Sequence, residues 1–238
     1  MAEVVPGVHL VDGLPGGLKA GNVYLLVDDV LALVDTGLPG NLEGIARYVV
    51  SIGRRLEELS YVLLTHSHPD HTGGAPALRK HTGAQIMAHP GDVTNGKRGR
   101  SVAYMGMFGT SGLPLPFLRR VPADGLLNDG DVLPLLGGLR VHHTPGHTPG
   151  SVCFELEQLG VLFTGDLLIA DNGVPERNHA FPGSELEAYR ASIERMALLK
   201  YETLCSGHGQ PIQVNAAQRV RDLVMEPGLY GLSWRLFG

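Results

Sequence analysis

The length, composition and charge of the chain exclude several classes of protein. Its 238 residues are enough to bury a full hydrophobic core, and 43% hydrophobic with 18% charged residues is ordinary for a globular protein. A formal net charge of −5 argues against a nucleic-acid partner, because phosphate binding needs an excess of lysine and arginine.

Two further features bear on the compartment. No apolar stretch approaches the roughly 18 residues that span a bilayer, and the first twenty residues lack the apolar region of a secretory signal. Cys153 and Cys205 are too few for a disulfide scaffold, so we expect buried free thiols. We therefore expect a cytoplasmic protein with no membrane partner.

The first half of the chain alternates short apolar runs with helical patterns. The runs "NVYLLV" and "LALVDTG", separated by Asp28 and Asp29, predict a hairpin. A helical period over residues 42–52 follows, then a buried strand at "YVLLT", a helix over 74–81 and a strand at "QIMAH". Residues 90–120 mix glycine, proline and aromatic residues without a period, which predicts a long loop or a few short helical turns.

The second half repeats this alternation. Strands are predicted at "DVLPLL", "LRVHHT", "SVCFEL" and "VLFTG", followed by an amphipathic helix over 184–200, where Ser184 and Glu187 fit a capping box. A strand at "ETLCS" and a helix over 216–225 follow. Two similar halves predict a single α/β domain over residues 1–238, a four-layer αββα sandwich with two facing sheets and helices outside.

A dense polar cluster follows the predicted strand "YVLLT". The stretch "THSHPDHTGG" places His66, His68, Asp70 and His71 between that strand and two glycines. Side chains at a strand end are held still because the sheet fixes the backbone beneath them. Burying imidazoles and a carboxylate together is costly unless something compensates their polarity, and a coordinated metal does so. The cluster therefore predicts a metal site.

Three more residues of the same kind follow later strands. His147 lies in "TPGHTPGS", Asp166 in "LFTGD" and His208 in "CSGHGQP", each flanked by glycine or proline. Turns at these positions would face the same end of the sheets as the first cluster. Seven ligands suit a site for two divalent metal ions, of which Zn²⁺ is favoured, while Fe²⁺, Mn²⁺ and Co²⁺ also suit such ligands.

We predict that Asp166 bridges the two metals. The other six ligands divide into one set for each metal: His66, His68 and His147, and Asp70, His71 and His208. Among the remaining histidines, we expect His9 and His81 at the surface and one of His142 and His143 facing inward. No ligand pattern surrounds His89 or His179, although either could approach the site.

These motifs, in this order, resemble those of the metallo-β-lactamase superfamily over nearly the whole chain. The matching stretches are "LVDTG" around Asp35, "THSHPDHTGG", "HTPGHTPGS", "LFTGD" and "SGHG". The resemblance implies an αββα sandwich with two metals at one edge of the sheets. It also implies that Asp35 supports the metal-binding loop.

Asp166 and His71 are similar to the ligands of the glyoxalase II-like and lactonase-like branch. The chain departs from glyoxalase II because no counterpart of its helical domain is expected after His208. It departs from the quorum-quenching lactonases because no tyrosine follows Asp166 before Tyr189. The substrate is therefore left open.

The expected function is hydrolysis of a carboxylic ester, thioester or lactone of a small molecule by a hydroxide that bridges two metals. Asp70 is the predicted catalytic residue, which orients the hydroxide and carries its proton to the leaving group. Two alternatives stay open: a mononuclear non-heme iron enzyme like the persulfide dioxygenases, using His66, His147 and Asp166, and a non-catalytic metal-binding protein. A monomer or a homodimer is expected, because the aromatic tail after Met225 either packs on the sandwich or joins a second subunit.

Overall fold

Two β-sheets form the centre of the molecule. The computed structural model describes residues 2–17, 20–97, 99–102, 120–171, 174–177 and 185–225. The seven strands of the first sheet lie in the order β1-β2-β3-β4-β5-β6-β9: β1 (Ala2–Val5), β2 (Val8–Leu10), β3 (Tyr24–Val27), β4 (Leu31–Val34), β5 (Leu59–Leu63), β6 (Gln85–Ala88) and β9 (Gly125–Leu126). Neighbours are antiparallel from β1 to β4 and parallel from β4 to β9.

The second sheet has five strands. They lie in the order β10-β11-β12-β13-β16: β10 (Val132–Leu133), β11 (Leu139–His143), β12 (Val152–Leu156), β13 (Val161–Gly165) and β16 (Thr203–Ser206). All pairs are antiparallel except β13 with β16. Two hairpins stand apart: β7 (Val93–Gly96) with β8 (Gly99–Val102), and β14 (Leu168–Asp171) with β15 (Val174–Arg177).

Helices cover the outer faces of both sheets. They are α1 (Leu42–Ser51), α3 (Ala75–Thr82), α4 (Leu186–Ala197) and α5 (Ala216–Met225), whereas the four-residue helix α2 (Pro69–Thr72) lies in the turn after β5. One apolar cluster joins the facing sides of the two sheets, a second lies between the first sheet and α1 and α3, and a third lies between the second sheet and α4 and α5. The strands β4, β12, β13 and β16 are buried along their whole length, as their continuous apolar runs require.

These layers confirm the predicted αββα sandwich. The helices predicted over 42–52 and 74–81 are observed within one residue of those bounds. The helix predicted over 184–200 is described from Leu186 to Ala197, and Ser184 of the proposed capping box lies outside the described residues.

Some elements were not predicted. The hairpin of β1 and β2 was missed because its strands have only four and three residues. The segment 90–120 was predicted without strands, but it contains β7 and β8, which are largely exposed and so carry no apolar alternation. Residues 103–119 and the tail 226–238 lie outside the described residues.

Two predictions about composition can be compared with the structure. Cys153 and Cys205 are both buried and free, as expected. Within the described parts of the chain, no helix combines the length and the apolar character that crossing a bilayer requires.

Candidate metal centre

All seven predicted ligands come from turns at one edge of the two sheets. His66, His68, Asp70 and His71 follow β5, and Pro69 starts the short helix α2 that carries the last two. The other three lie after strands of the second sheet: His147 between β11 and β12, Asp166 directly after β13, and His208 after β16. The structure brings the seven side chains into one cluster.

Three histidines form a deeply placed part of this cluster, which we call the three-histidine group: His66, His68 and His147. The Nδ1 atom of His68 lies 3.1 Å from Nε2 of His66 and 3.0 Å from Nε2 of His147. His66 and His147 are buried, with 3% and 4% of their surface exposed. Ring nitrogens this close repel through their lone pairs unless a proton or a cation lies between them, so the donor set fits a metal ion.

A second group of three lies beside it, and we call it the outer group: Asp70, His71 and His208. The Nε2 atoms of His71 and His208 are 3.3 Å apart. Oδ2 of Asp70 lies 3.7 Å from the first of these nitrogens and 3.5 Å from the second. Two imidazoles and a carboxylate are ordinary ligands of a divalent metal.

Asp166 borders both groups. Its Oδ2 lies 3.5 Å from Nε2 of His147 and 3.4 Å from Nε2 of His208. Its Oδ1 lies 3.3 Å from Nε2 of His71. Oδ2 therefore lies near a histidine of each group and Oδ1 lies near the outer group, so one carboxylate borders both groups, as a bridging ligand must.

Asp35 and Thr65 orient two of the histidines from behind. The Thr65 amide donates to Oδ1 of Asp35 (2.8 Å), and the Thr65 hydroxyl donates to Oδ2 (2.7 Å). His71 Nδ1 lies 2.8 Å from the same Oδ2, and His66 Nδ1 lies 3.0 Å from the Thr65 hydroxyl. Both Nδ1 atoms are therefore donors, which directs the Nε2 atoms of both rings into the cluster.

Ligand atoms of Asp35, His66 and His71 also lie close enough together to hold one metal ion. The oxygens of Asp35 are already used by Thr65 and His71, so the structure places this residue as a support. It adopts a left-handed backbone conformation with φ of 58°, which is rare for a residue with a side chain and occurs where the surroundings enforce it. The resemblance had implied this supporting role.

The turn that carries His208 is fastened to the first sheet. The Asn22 side-chain amide donates to the carbonyls of Ser206 (3.0 Å) and Gly209 (2.7 Å). The Tyr24 hydroxyl also donates to the Ser206 carbonyl, at 2.9 Å. Residues at the start of β3 therefore fix the last ligand loop.

Helix α4 supports the turns of His147 and Asp166. The Glu185 amide donates to the Gly146 carbonyl (3.0 Å), and the Tyr189 hydroxyl donates to the Leu167 carbonyl (2.6 Å). Gly146 has φ of 134° and packs against the Tyr189 backbone, where a side chain has no room. Tyr189 is buried and supports the turn after Asp166 from behind.

Burial and charge set the protonation of the cluster. Burial lowers the pKa of His66 and His68 and brings that of His147 to about 4, so these rings are neutral, the form that binds metal. Burial also opposes a charge on His71, but the carboxylates of Asp166 and Asp35 raise its pKa well above the ordinary value. His71 and His208 hold the pKa of Asp166 well below its usual range despite burial.

The other histidines that the structure describes lie outside the cluster. His89, which the sequence left as able to approach the site, stacks on the ring of His143 with centroids 3.8 Å apart. His142 is buried and lies 2.7 Å from the carboxylate of Glu155, so the inward-facing histidine of that pair is His142. His81 is exposed as expected, and His179 lies outside the described residues.

The expectation for His9 was wrong. Only 13% of its side chain is exposed, because its ring packs edge-on against Tyr48. It lies on β2, in the hairpin that the sequence patterns did not predict.

Comparison with known proteins identifies the family. Residues 16–208 match the family model described as the metallo-beta-lactamase superfamily. The chain belongs to this superfamily. A metallo-beta-lactamase family protein from Thermus thermophilus has a similar structure, with a TM-score of 0.71 and 28% sequence identity over 93% of this chain and 79% of that one.

Two curated relatives carry the names of hydrolases. Thioesterase pkgB of Emericella nidulans is 32% identical over 202 residues, which cover 82% of this chain and 47% of the relative. A hydroxyacylglutathione hydrolase of Anaeromyxobacter dehalogenans is 32% identical over 165 residues, covering 69% of this chain and 52% of the relative. The chain thus matches about half the length of each.

Proposed function

We propose that this chain is a hydrolase that uses two divalent metal ions, with Zn²⁺ favoured, to cleave a carboxylic ester, thioester or lactone of a small molecule. The observation that carries the proposal is the position of Asp166 between two groups of three ligand-type side chains. In this proposal the three-histidine group holds one ion, the outer group holds the other, and Asp166 is shared.

The bound ions would supply Lewis acidity, which lowers the pKa of water towards neutrality and polarises a carbonyl group. The protein side chains do the remaining work. Asp70 is the proposed catalytic residue because its carboxylate lies at the open side of the cluster, 27% exposed, where substrate and water can reach it. There it orients the attacking water, accepts its proton and passes that proton to the leaving group.

Among the three substrate classes, thioesters are favoured. The support is the relative named as a thioesterase, which shares 32% identity with this chain. A thiolate leaves more readily than an alkoxide, so a proton from Asp70 matters less for a thioester than for an ester or lactone. In an Asp70 variant that metal analysis shows to keep both ions, kcat should therefore fall more for esters than for thioesters.

The test begins with metal analysis of protein purified without added metal. The same sample is then assayed with thioester, ester, lactone, phosphodiester and β-lactam substrates, before and after chelation and after Zn²⁺ is restored. Two metal ions per chain and metal-dependent cleavage of one of the first three classes are expected.

Other outcomes would contradict the proposal. One iron per chain with oxygen consumption on a persulfide would favour the dioxygenase alternative. Full metal loading with no turnover of any class would favour a non-catalytic metal-binding protein. Size-exclusion chromatography of that sample also tests the predicted monomer or homodimer, and a single cooperative unfolding transition tests the predicted single domain over 1–238.

A further inference from the structure

Asp92 is a buried carboxylate outside the proposed ligand set. It ends the short turn Pro90–Asp92 that follows β6, and only 2% of its surface is exposed. The Thr148 hydroxyl donates to Oδ2 at 2.7 Å, and the Gly150 amide donates to Oδ1 at 2.8 Å. Both donors belong to the loop that carries His147.

The two loops are also in close steric contact. A side chain on Gly150 would overlap the carboxyl group of Asp92, and a side chain on Gly91 would approach the Pro149 carbonyl to 2.7 Å. Thr148 is fixed further by Ser151, whose hydroxyl accepts from the Thr148 amide (3.0 Å) and lies 2.8 Å from the Thr148 hydroxyl. Little freedom remains for the loop between Gly146 and Ser151.

This contact joins the two sheets. Asp92 follows β6, which pairs with β5, the strand that precedes His66 and His68. His147 lies on the second sheet, between β11 and β12. The carboxylate therefore fixes a loop of the second sheet against the sheet that carries two histidines of the three-histidine group.

A buried carboxylate is a costly way to join two loops, since an apolar contact avoids the loss of hydration. Burial does raise the pKa of Asp92, against the lowering influence of Thr148, Gly150 and Ser67. What the carboxylate adds is direction, because its two oxygens meet two donors at fixed angles.

We propose that Asp92 is a positioning residue that sets the place of His147 relative to His66 and His68 through Thr148 and Gly150. This inference rests on metal binding by the three-histidine group, as in the proposed function. It concerns how firmly that group holds a metal and assigns Asp92 no contact with substrate.

The test compares the Asp92→Asn variant with wild type, using Zn²⁺ and Co²⁺ as probes. We expect a 10- to 100-fold weaker affinity for the tighter-bound Zn²⁺ in competition with a chromophoric chelator, the range known for residues that support metal ligands. We also expect a changed visible absorption spectrum of the Co²⁺-loaded variant, because that spectrum reports ligand geometry.

Asp124→Asn is the matched control. Asp124 accepts from Arg79 and from the Ile86 amide on the same strand β6, and it does not contact the His147 loop. The control should lower the unfolding temperature without changing Zn²⁺ affinity or the Co²⁺ spectrum. Equal Zn²⁺ affinities in Asp92→Asn, the control and wild type would overturn the inference.

Two further measurements keep the test decisive. Thr148→Val removes one donor without burying a new polar group, so it should reproduce part of the affinity loss even if Asp92→Asn fails to fold. In the double variant the Thr148 change should add little to the Asp92 change, and full additivity would contradict a shared path. If the wild-type protein binds no metal, both the proposed function and the role of Asp92 are contradicted. If the wild-type protein binds metal and the variants bind it equally well, only the role of Asp92 is contradicted.

Discussion

The three-histidine group and the outer group use similar side chains in different surroundings. His66 and His147 are almost fully buried, whereas 27% of the Asp70 side chain and 21% of the His208 side chain are exposed. Burial lowers the pKa of the first group's rings, while Asp35 and Asp166 raise the pKa of His71 in the second. The outer group is therefore the part of the cluster that is more open to solvent.

The supports of the two groups differ as well. Asp35 serves both, through Thr65 to His66 and directly to His71. Asn22 and Tyr24 donate hydrogen bonds to the turn that carries His208, in the outer group. Asp166 therefore joins the three-histidine group to an outer group that also depends on the hydrogen bonds of Asn22 and Tyr24 with the His208 turn. We call these hydrogen bonds the clasp.

Replacing one ligand in each group should have the largest effect. We expect His147→Ala to weaken the tighter-bound Zn²⁺ by more than the roughly 100-fold limit of changes outside the ligand set. His208→Ala should leave one tightly bound Zn²⁺ per chain and remove the second. Both are checked by metal analysis after dialysis against a weak chelator, and loss of both ions in His208→Ala would show that the two groups do not bind metal independently.

Asp35→Asn should affect both groups together. The carboxylate accepts three hydrogen bonds, and an amide offers one acceptor and opposes the other donors. We expect a loss of about 1–3 kcal/mol in the free energy of unfolding of the metal-free protein. A 10- to 100-fold loss of affinity for each Zn²⁺ should accompany it. Urea titration and chelator competition measure these, and an effect on one ion alone would refute a shared support.

Asn22→Ala should weaken only the outer group. The change leaves the carbonyls of Ser206 and Gly209 without the donor that fastens the His208 turn. We expect a several-fold weaker second Zn²⁺ and an unchanged first one, with about 1 kcal/mol lost from the free energy of unfolding. Calorimetric titration of Zn²⁺ resolves the two steps. Equal weakening of both steps would show that the clasp is not selective.

The smallest effect is expected from a substitution of Asp124, which lies away from both groups and serves as the reference for effects on stability alone. Its hydrogen bonds with Arg79 hold its pKa below the ordinary 3.8. A lowered folded-state pKa contributes stability above the unfolded pKa, and that contribution is lost as the pH falls through the folded pKa. We expect Asp124→Asn to cost about 0.5 kcal/mol at pH 7 and less below pH ~4. Unfolding curves at both pH values measure this, and a cost that grows in acid would contradict the assignment.

The sequence predicted the sheets and the seven clustered residues because strand ends and glycine-rich turns mark those positions directly. Asn22, Thr65 and Asp92 were not predicted, although each contacts the turns of the cluster. Nothing local distinguishes an asparagine before a strand from a solvated turn residue, since its partners are carbonyls 184 and 187 positions away. Thr65 directly precedes His66, so the two side chains alternate across the end of the strand. This position was the one signal from which a role for Thr65 could have been predicted.

Elements and residues outside the cluster were harder to predict. The β7–β8 hairpin shows no apolar alternation because its residues are mostly exposed, so periodicity cannot detect it. His9 was expected at the surface because no ligand pattern surrounds it, and its strand β2, only three residues long, is too short to show a buried face in the sequence. Whether the seven residues bind metal stays a prediction.

The clasp between Asn22 and the His208 turn has a consequence for folding. His66 to His71 can approach their places as soon as one strand and one helical turn exist, whereas the clasp closes a loop of more than 180 residues. Closing a loop of this length costs conformational entropy, and both groups take ligands from both sheets, so neither group is complete before the sheets have met. Even so, a chain emerging during synthesis supplies all three ligands of the three-histidine group before it supplies His208, the last ligand of the outer group.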